Sequence, residues 1–175
     1  MAAVIEILDK FEIGLCRRVN RYGQAEWVRK PFAIVSKLGD WGFWAAIAGI
    51  IFLMQGPAAG PGLLHVGLTA LVGVGIYKLL KRYLVRERPY VNNGTIRCGA
   101  TPLDKYSFPS GHTLHAVSFT VMYVHMEPML IFVCAPFAAL VALSSVILGL
   151  HYPSDVLAGA ALGAAIATTS ISIVG

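Results

Sequence analysis

The sequence predicts an all-α fold: a polytopic transmembrane helix bundle of about five spans, with an N-terminal amphipathic helix at the membrane interface. Three observations predict it. Of the 175 residues 57% are hydrophobic and only 13% charged, with a mean hydropathy of +0.68, whereas soluble domains carry about 25% charged residues. The apolar residues come in blocks, since 41–77, 106–126, 128–154 and 156–175 contain no Lys, Arg, Asp or Glu. These blocks reach or exceed the roughly 20 residues that a helix needs to cross a bilayer, where the backbone must bond within its own segment. A single domain over 1–175 is expected.

Taken in order, the first 30 residues are broken by Glu6, Asp9, Lys10, Glu12, Arg17 and Arg18, which leaves no apolar core for a cleaved signal. Val4, Leu8, Phe11 and Leu15 instead share one helical face, the pattern of a helix lying on a membrane surface or of an ordinary packing helix. The first span is placed at about 32–55 and the second at about 63–85, joined by a turn at 56–62 rich in Gly and Pro. A polar connection at 86–109 leads to spans at about 110–126, 129–150 and 154–174. Gly159 and Gly163 have the spacing that lets transmembrane helices approach closely. Packing within the bundle is the use expected first, and a homo-oligomer the second.

Counting spans puts all 14 Lys and Arg residues at or near one membrane face. The net charge of +5 is therefore assigned to lipid or substrate, not to nucleic acid. Cys16, Cys98 and Cys134 form no CxxC pair and offer neither a metal signature nor a disulfide framework.

Three clusters fall on the charged face. Lys81, Arg88 and Pro89 stand where the second span ends, and Arg offers a planar fork suited to phosphate oxygens. Pro109, Ser110, Gly111 and His112 stand where the third begins; Ser110 and Gly111 would present free N–H groups and the positive helix end to an anion. His151, Tyr152, Pro153, Ser154 and Asp155 bridge the last two spans. Pro153 suits a first helical turn, so His151 and Asp155, four apart, could meet there. A carboxylate on one imidazole nitrogen fixes the tautomer and leaves the other as nucleophile or base, while His112 could exchange a proton. Singly, each cluster reads as interfacial anchoring or a satisfied polar group; anchoring does not explain histidines at the same depth.

Together these motifs resemble the type 2 phosphatidic acid phosphatase superfamily, which includes membrane lipid phosphatases and soluble haloperoxidases. Lys81, six residues, then Arg88 and Pro89 match its first motif, and Pro109 to His112 meet its second in full. Ser144, His151 and Asp155 match the third, but Ser145 stands where the family has Arg. The resemblance implies a phosphohistidine on His151, oriented by Asp155. His112 would be the proton donor, with Lys81, Arg88, Ser110 and Gly111 holding the phosphoryl oxygens. It implies no metal or cofactor. A neutral Ser145 removes one preorganised donor, a loss worth about 100- to 1,000-fold in rate, which Arg82, Arg86 or Arg97 could offset.

The expected function is a metal-independent lipid phosphate or diphosphate phosphatase in the bilayer. Phosphatidate, phosphatidylglycerophosphate, isoprenyl diphosphate and lipid A phosphate are the substrates that the resemblance suggests. The alternative is a catalytically silent lipid-phosphate-binding protein; a transporter or channel subunit ranks below both, because only His65 and scattered Ser and Thr lie deep in the spans. Positive charge favours a cytoplasmic site, whereas the resemblance leans towards the outer face of the cell (inner) membrane.

Overall fold

The computed structural model describes residues 2–102 and 104–174, and their side chains from Phe11 onward. Helix α1 (Ala2–Tyr22) is followed by α2 (Glu26–Lys37), a π-helical turn (Leu38–Gly42) and α3 (Phe43–Gln55). The last three are continuous, so the first leg begins six residues before the expected boundary. It stops at Gly56, whose φ of 64° suits glycine in the left-handed region. A 3₁₀ turn (Gly56–Ala59) with Pro57 reverses the chain into α4 (Gly60–Tyr83). The short α5 (Pro89–Asn92) interrupts the polar connection, and α6 (Gly111–Met126), α7 (Ile131–Ile147) and α8 (Pro153–Val174) complete the described chain.

Contacts fix the directions. Gly62 faces Met126 and Gly73 faces Leu114, so α4 runs antiparallel to α6. The Tyr123 hydroxyl donates to the Trp44 carbonyl at 3.1 Å and His112 meets Asp40, so α3 runs parallel to α6. Gly159 and Gly163 of α8 lie against the backbone of Ser110 and Leu114, where any side chain would collide; the small face serves packing within the bundle. The five long legs therefore alternate, and the first-leg π turn, the α4 end, the α6 start, the α7 end and the α8 start share one end of the molecule.

Three stretches among the described residues are long and apolar enough to cross a membrane: Glu26–Tyr83, which the 3₁₀ turn divides into two legs, Pro128–Ile147 and Pro153–Val174. With 16 residues, α6 is shorter, and it is the central leg, packed on both α7 and α8. Its interior face joins Trp44, Ile47, Ile51, Met122, Tyr123 and Val141 in the main core. Leu53, Leu64, Leu71, Phe132 and Leu157 project outward, as lipid-facing side chains do.

Helix α1 turns Glu12, Cys16 and Asn20 inward and leaves Phe11 and Leu15 exposed. The predicted apolar stripe thus faces away from the bundle at these two positions; the side chains of Val4 and Leu8 lie outside the described residues. The three cysteines are free thiols, with Cys16 and Cys134 buried and Cys98 exposed. Burial pushes the Cys16 thiol up to about 12, with Glu12 adding to the rise, so it is packing material.

Candidate active site

Two helix-end motifs hold His151. Helix α7 ends with Gly149 at φ 72°; the Gly149 N–H donates to the Val146 carbonyl and the Leu150 N–H to that of Ser145, a Schellman stop. The His151 N–H donates to the same Ser145 carbonyl at 3.1 Å. Two residues on, Pro153 opens α8, and Asp155 Oδ2 reaches back to accept the Tyr152 N–H at 2.8 Å, one half of a capping box. The five residues between the helices have little freedom, and His151 is almost wholly buried.

The ring's tautomer follows from its neighbours. Arg88 Nη1 lies 3.3 Å from His151 Nε2, and a guanidinium can only donate. Nε2 therefore carries the lone pair and Nδ1 the hydrogen. Nδ1 points to Asp155 Oδ2 at 3.7 Å, an ion-pair distance longer than a hydrogen bond, so the predicted couple forms more loosely than four-residue spacing suggested. Burial lowers the His151 pKa to about 4, and Arg88 and Lys81 push the same way against Asp155. The imidazole is neutral at pH 7.

Asp155 is itself clamped. Arg86 Nη1 donates to Oδ1 at 2.5 Å and to Ser154 Oγ at 2.7 Å, and the Ser107 hydroxyl donates to Oδ2. Arg86 Nη2 donates to Glu12 at 2.8 Å, and Glu12 also accepts the Ser154 N–H and hydroxyl. This buried network was not legible in the sequence, where Glu12 read only as an interruption of an apolar stretch. It also decides the place of Arg86: committed to two carboxylates, it does not line the cavity, so it is not positioned to offset the change that the resemblance implies at Ser145. Ser145 donates to the Val141 carbonyl and lies outside the cavity wall, as do Arg82 and Arg97.

That cavity, about 550 Å³, opens beside His151. Lys81, Arg88, Asp104, Gly111 and His112 surround its polar end. Ala70, Val74, Tyr77 and Lys81 line it along one face of α4, a run of roughly 16 Å at 1.5 Å per residue. Leu71 and Phe119 make its far end apolar, and Trp41, the neighbour of Asp40, also lines it. Lys81 donates to Asp104 Oδ1 at 2.7 Å and to the Tyr106 carbonyl at 2.6 Å. His112 Nε2 lies 2.8 Å from Asp40 Oδ1, and since a carboxylate accepts, Nε2 donates and Nδ1 is the nitrogen left for other partners. Asp40 and Asp104 were not singled out from sequence; each stands alone in its segment, and only the fold brings them beside a histidine and a lysine.

Of the predicted residues, Lys81, Arg88, Gly111, His112 and His151 converge on the cavity, with Asp155 behind the ring. Ser110 differs. Its Oγ caps α6 by accepting from Thr113, and its N–H donates to the Asp155 carbonyl at 3.0 Å. It therefore couples two motifs, and of the two residues it is Gly111 that lines the cavity at the helix start.

The sequence and the fold are both similar to those of known proteins. The sequence profile of the PAP2 superfamily matches residues 62–175. A decaprenylphosphoryl-5-phosphoribose phosphatase of Mycobacterium tuberculosis (strain ATCC 25618 / H37Rv) is 32% identical over 62% of this chain and 59% of its own length. The chain thus spans about three fifths of that relative. An undecaprenyl-diphosphatase of Sulfolobus acidocaldarius is 27% identical over 93% of this chain and 78% of its own. Among solved structures, Aquifex aeolicus LpxE superposes with a TM-score of 0.79 at 21% identity, covering 93% of this chain and 95% of that one.

Proposed function

The chain belongs to the PAP2 superfamily, and from that premise we propose that it is a metal-independent lipid phosphate or diphosphate phosphatase working through His151. The observation that carries this reading is the neutral, buried imidazole whose lone pair on Nε2 is held towards the cavity by Arg88 at 3.3 Å. His151 Nε2 attacks phosphorus and the bond to the lipid oxygen breaks. His112 in its imidazolium form, its Nε2–H held by Asp40, gives that oxygen its Nδ1 proton, acting as general acid. Asp155, fixed by Arg86 and Ser107, balances the charge that the ring gains. Water then attacks the phosphohistidine, His112 takes its proton, and phosphate leaves as the imidazole is restored. Lys81, Arg88 and the Gly111 N–H hold the phosphoryl oxygens through both steps.

The cavity's shape supports a lipid substrate, since its polar end meets the phosphate and its apolar end follows α4 inward. Two relatives are named for polyprenyl-linked phosphates, which puts that class at the head of the panel to be tested. The site is assigned to the outer face of the cell membrane, with the five legs as five spans. Ser145 favours a second reading, a lipid-phosphate-binding protein without turnover.

One assay separates the two. Phosphate release from a panel of lipid phosphates is measured in detergent with chelator present, for the chain itself and for His151→Ala and Ser145→Arg. Release that survives chelation and falls at least about 1,000-fold in His151→Ala is the expected result. Turnover in Ser145→Arg alone would make this chain a disabled form, and release from none would leave the binding reading.

A further inference from the structure

The two cations of the cavity already have a carboxylate partner. Asp104 Oδ1 accepts from Lys81 Nζ at 2.7 Å and from Arg88 Nη2 at 3.0 Å. The donors of Arg88 can be counted. Nε donates to the Asp104 carbonyl, Nη1 to the Leu150 carbonyl and to His151 Nε2, and Nη2 to the Asp104 carbonyl and to Oδ1. A guanidinium has five N–H groups, and all five are engaged. Lys81 uses two of its three.

A phosphoryl group placed for attack by His151 Nε2 lies beside Arg88, and the point where Lys81 and Arg88 converge is the point that Oδ1 holds. Both cations are buried, so neither can turn to a fresh partner without leaving the cavity wall. The side chain of Asp104 is different: it is one-third exposed and sits on the polar connection, where water can take the place of the two cations as its partner. Among the described residues no other Lys or Arg lines the cavity, and Ser145 adds no charge. Lys81 and Arg88 therefore face Asp104 before any phosphate arrives, while Asp40, the other carboxylate lining the cavity, is paired with His112.

We propose that Asp104 competes with the substrate's phosphate for Lys81 and Arg88, which makes it a specificity-determining residue of the site. This rests on the reading of that cavity as the phosphate site. The exchange of a carboxylate for a phosphoryl group gains most when the incoming group carries two negative charges on terminal oxygens. Asp104 thereby selects terminal phosphates over singly charged diesters such as ordinary membrane phospholipids, which surround the site in great excess. It also weakens the hold on released inorganic phosphate.

The test uses the full chain in detergent, with inorganic phosphate as the probe and both direct binding and inhibition of turnover as readouts. Asp104→Asn removes the charge, and Asp104→Ala removes the competing acceptor; in each, the main-chain carbonyl of residue 104 still holds Arg88. Both variants are expected to bind phosphate at least about tenfold tighter than the parent chain, about 1.4 kcal/mol, and to show a lower KM with no gain in kcat. Equal or weaker binding in both overturns the proposal, because a carboxylate that merely props up Lys81 and Arg88 would loosen the site when lost. Arg88→Gln separates the two levels. If it abolishes phosphate binding while the Asp104 variants fail to tighten it, the site stands and the competitor role falls. If it leaves phosphate binding intact, phosphate sits elsewhere and both readings fall.

Discussion

At the scale of single residues, the chemistry depends on which form of each ring the surroundings allow. Burial holds His151 neutral down to about pH 4, whereas an unfolded histidine takes up its proton near 6.5. The unfolded chain binds more protons between those values. The contribution of this group to stability is thus full above about pH 6.5 and is lost as pH falls towards 4. Histidine-labelled protein followed by NMR should show the His151 ring unprotonated at pH 5.5, and a midpoint near 6.5 would overturn that. Much of this site was legible beforehand because its motifs are local: Pro109 to His112 and His151 to Asp155 are each read within five residues. Asp40, Asp104, Glu12 and Ser107 were not, because their meaning comes from partners 16 to 142 positions away. A lone acidic residue in a polar segment carries no signal of its own. Ser110 was misjudged for the same reason: its N–H looks free in a helix-start motif and is engaged only because α8 comes alongside.

At the scale of elements, the legs follow from hydropathy, while their ends follow from capping. Uncharged blocks and turn residues located all five to within a few residues, apart from the first. There Glu26, Lys30 and Lys37 break the apolar run, yet the helix continues through them on the exposed side. The contact between α6 and α8 is the tightest joint, because Gly159 and Gly163 bring backbone against backbone. Gly163→Leu would force the helices apart. Overpacking of this kind costs about 3 kcal/mol, or roughly 6–12 °C of melting temperature for a chain of this size. Gly67→Ala is the matched control: Gly67 faces open space, and the melting temperature should hold or rise slightly. Equal effects of the two substitutions in a thermal melt would show that close approach is not what the small face provides.

At the scale of the molecule, one end carries the charge and the site, and the other carries little beyond His125 and Glu127. The free thiols report which way that end points. Cys98 is exposed at the charged end, whereas Cys16 and Cys134 are enclosed. A membrane-impermeant maleimide should label intact cells at Cys98 alone if the site faces outward; labelling that waits for opened membranes would place it inside. The tie between Glu12 and Ser154 has a consequence in time. It joins residues 142 positions apart, one near the start of the chain and one at the head of its last helix. During synthesis α1 is made well before α8; Arg86 can meet the Glu12 carboxylate first, and the loop bearing His151 acquires its tie to Glu12 only once Ser154 has been made. Contacts of such separation form late. The brace beside His151 is thus completed only when α8 meets α1.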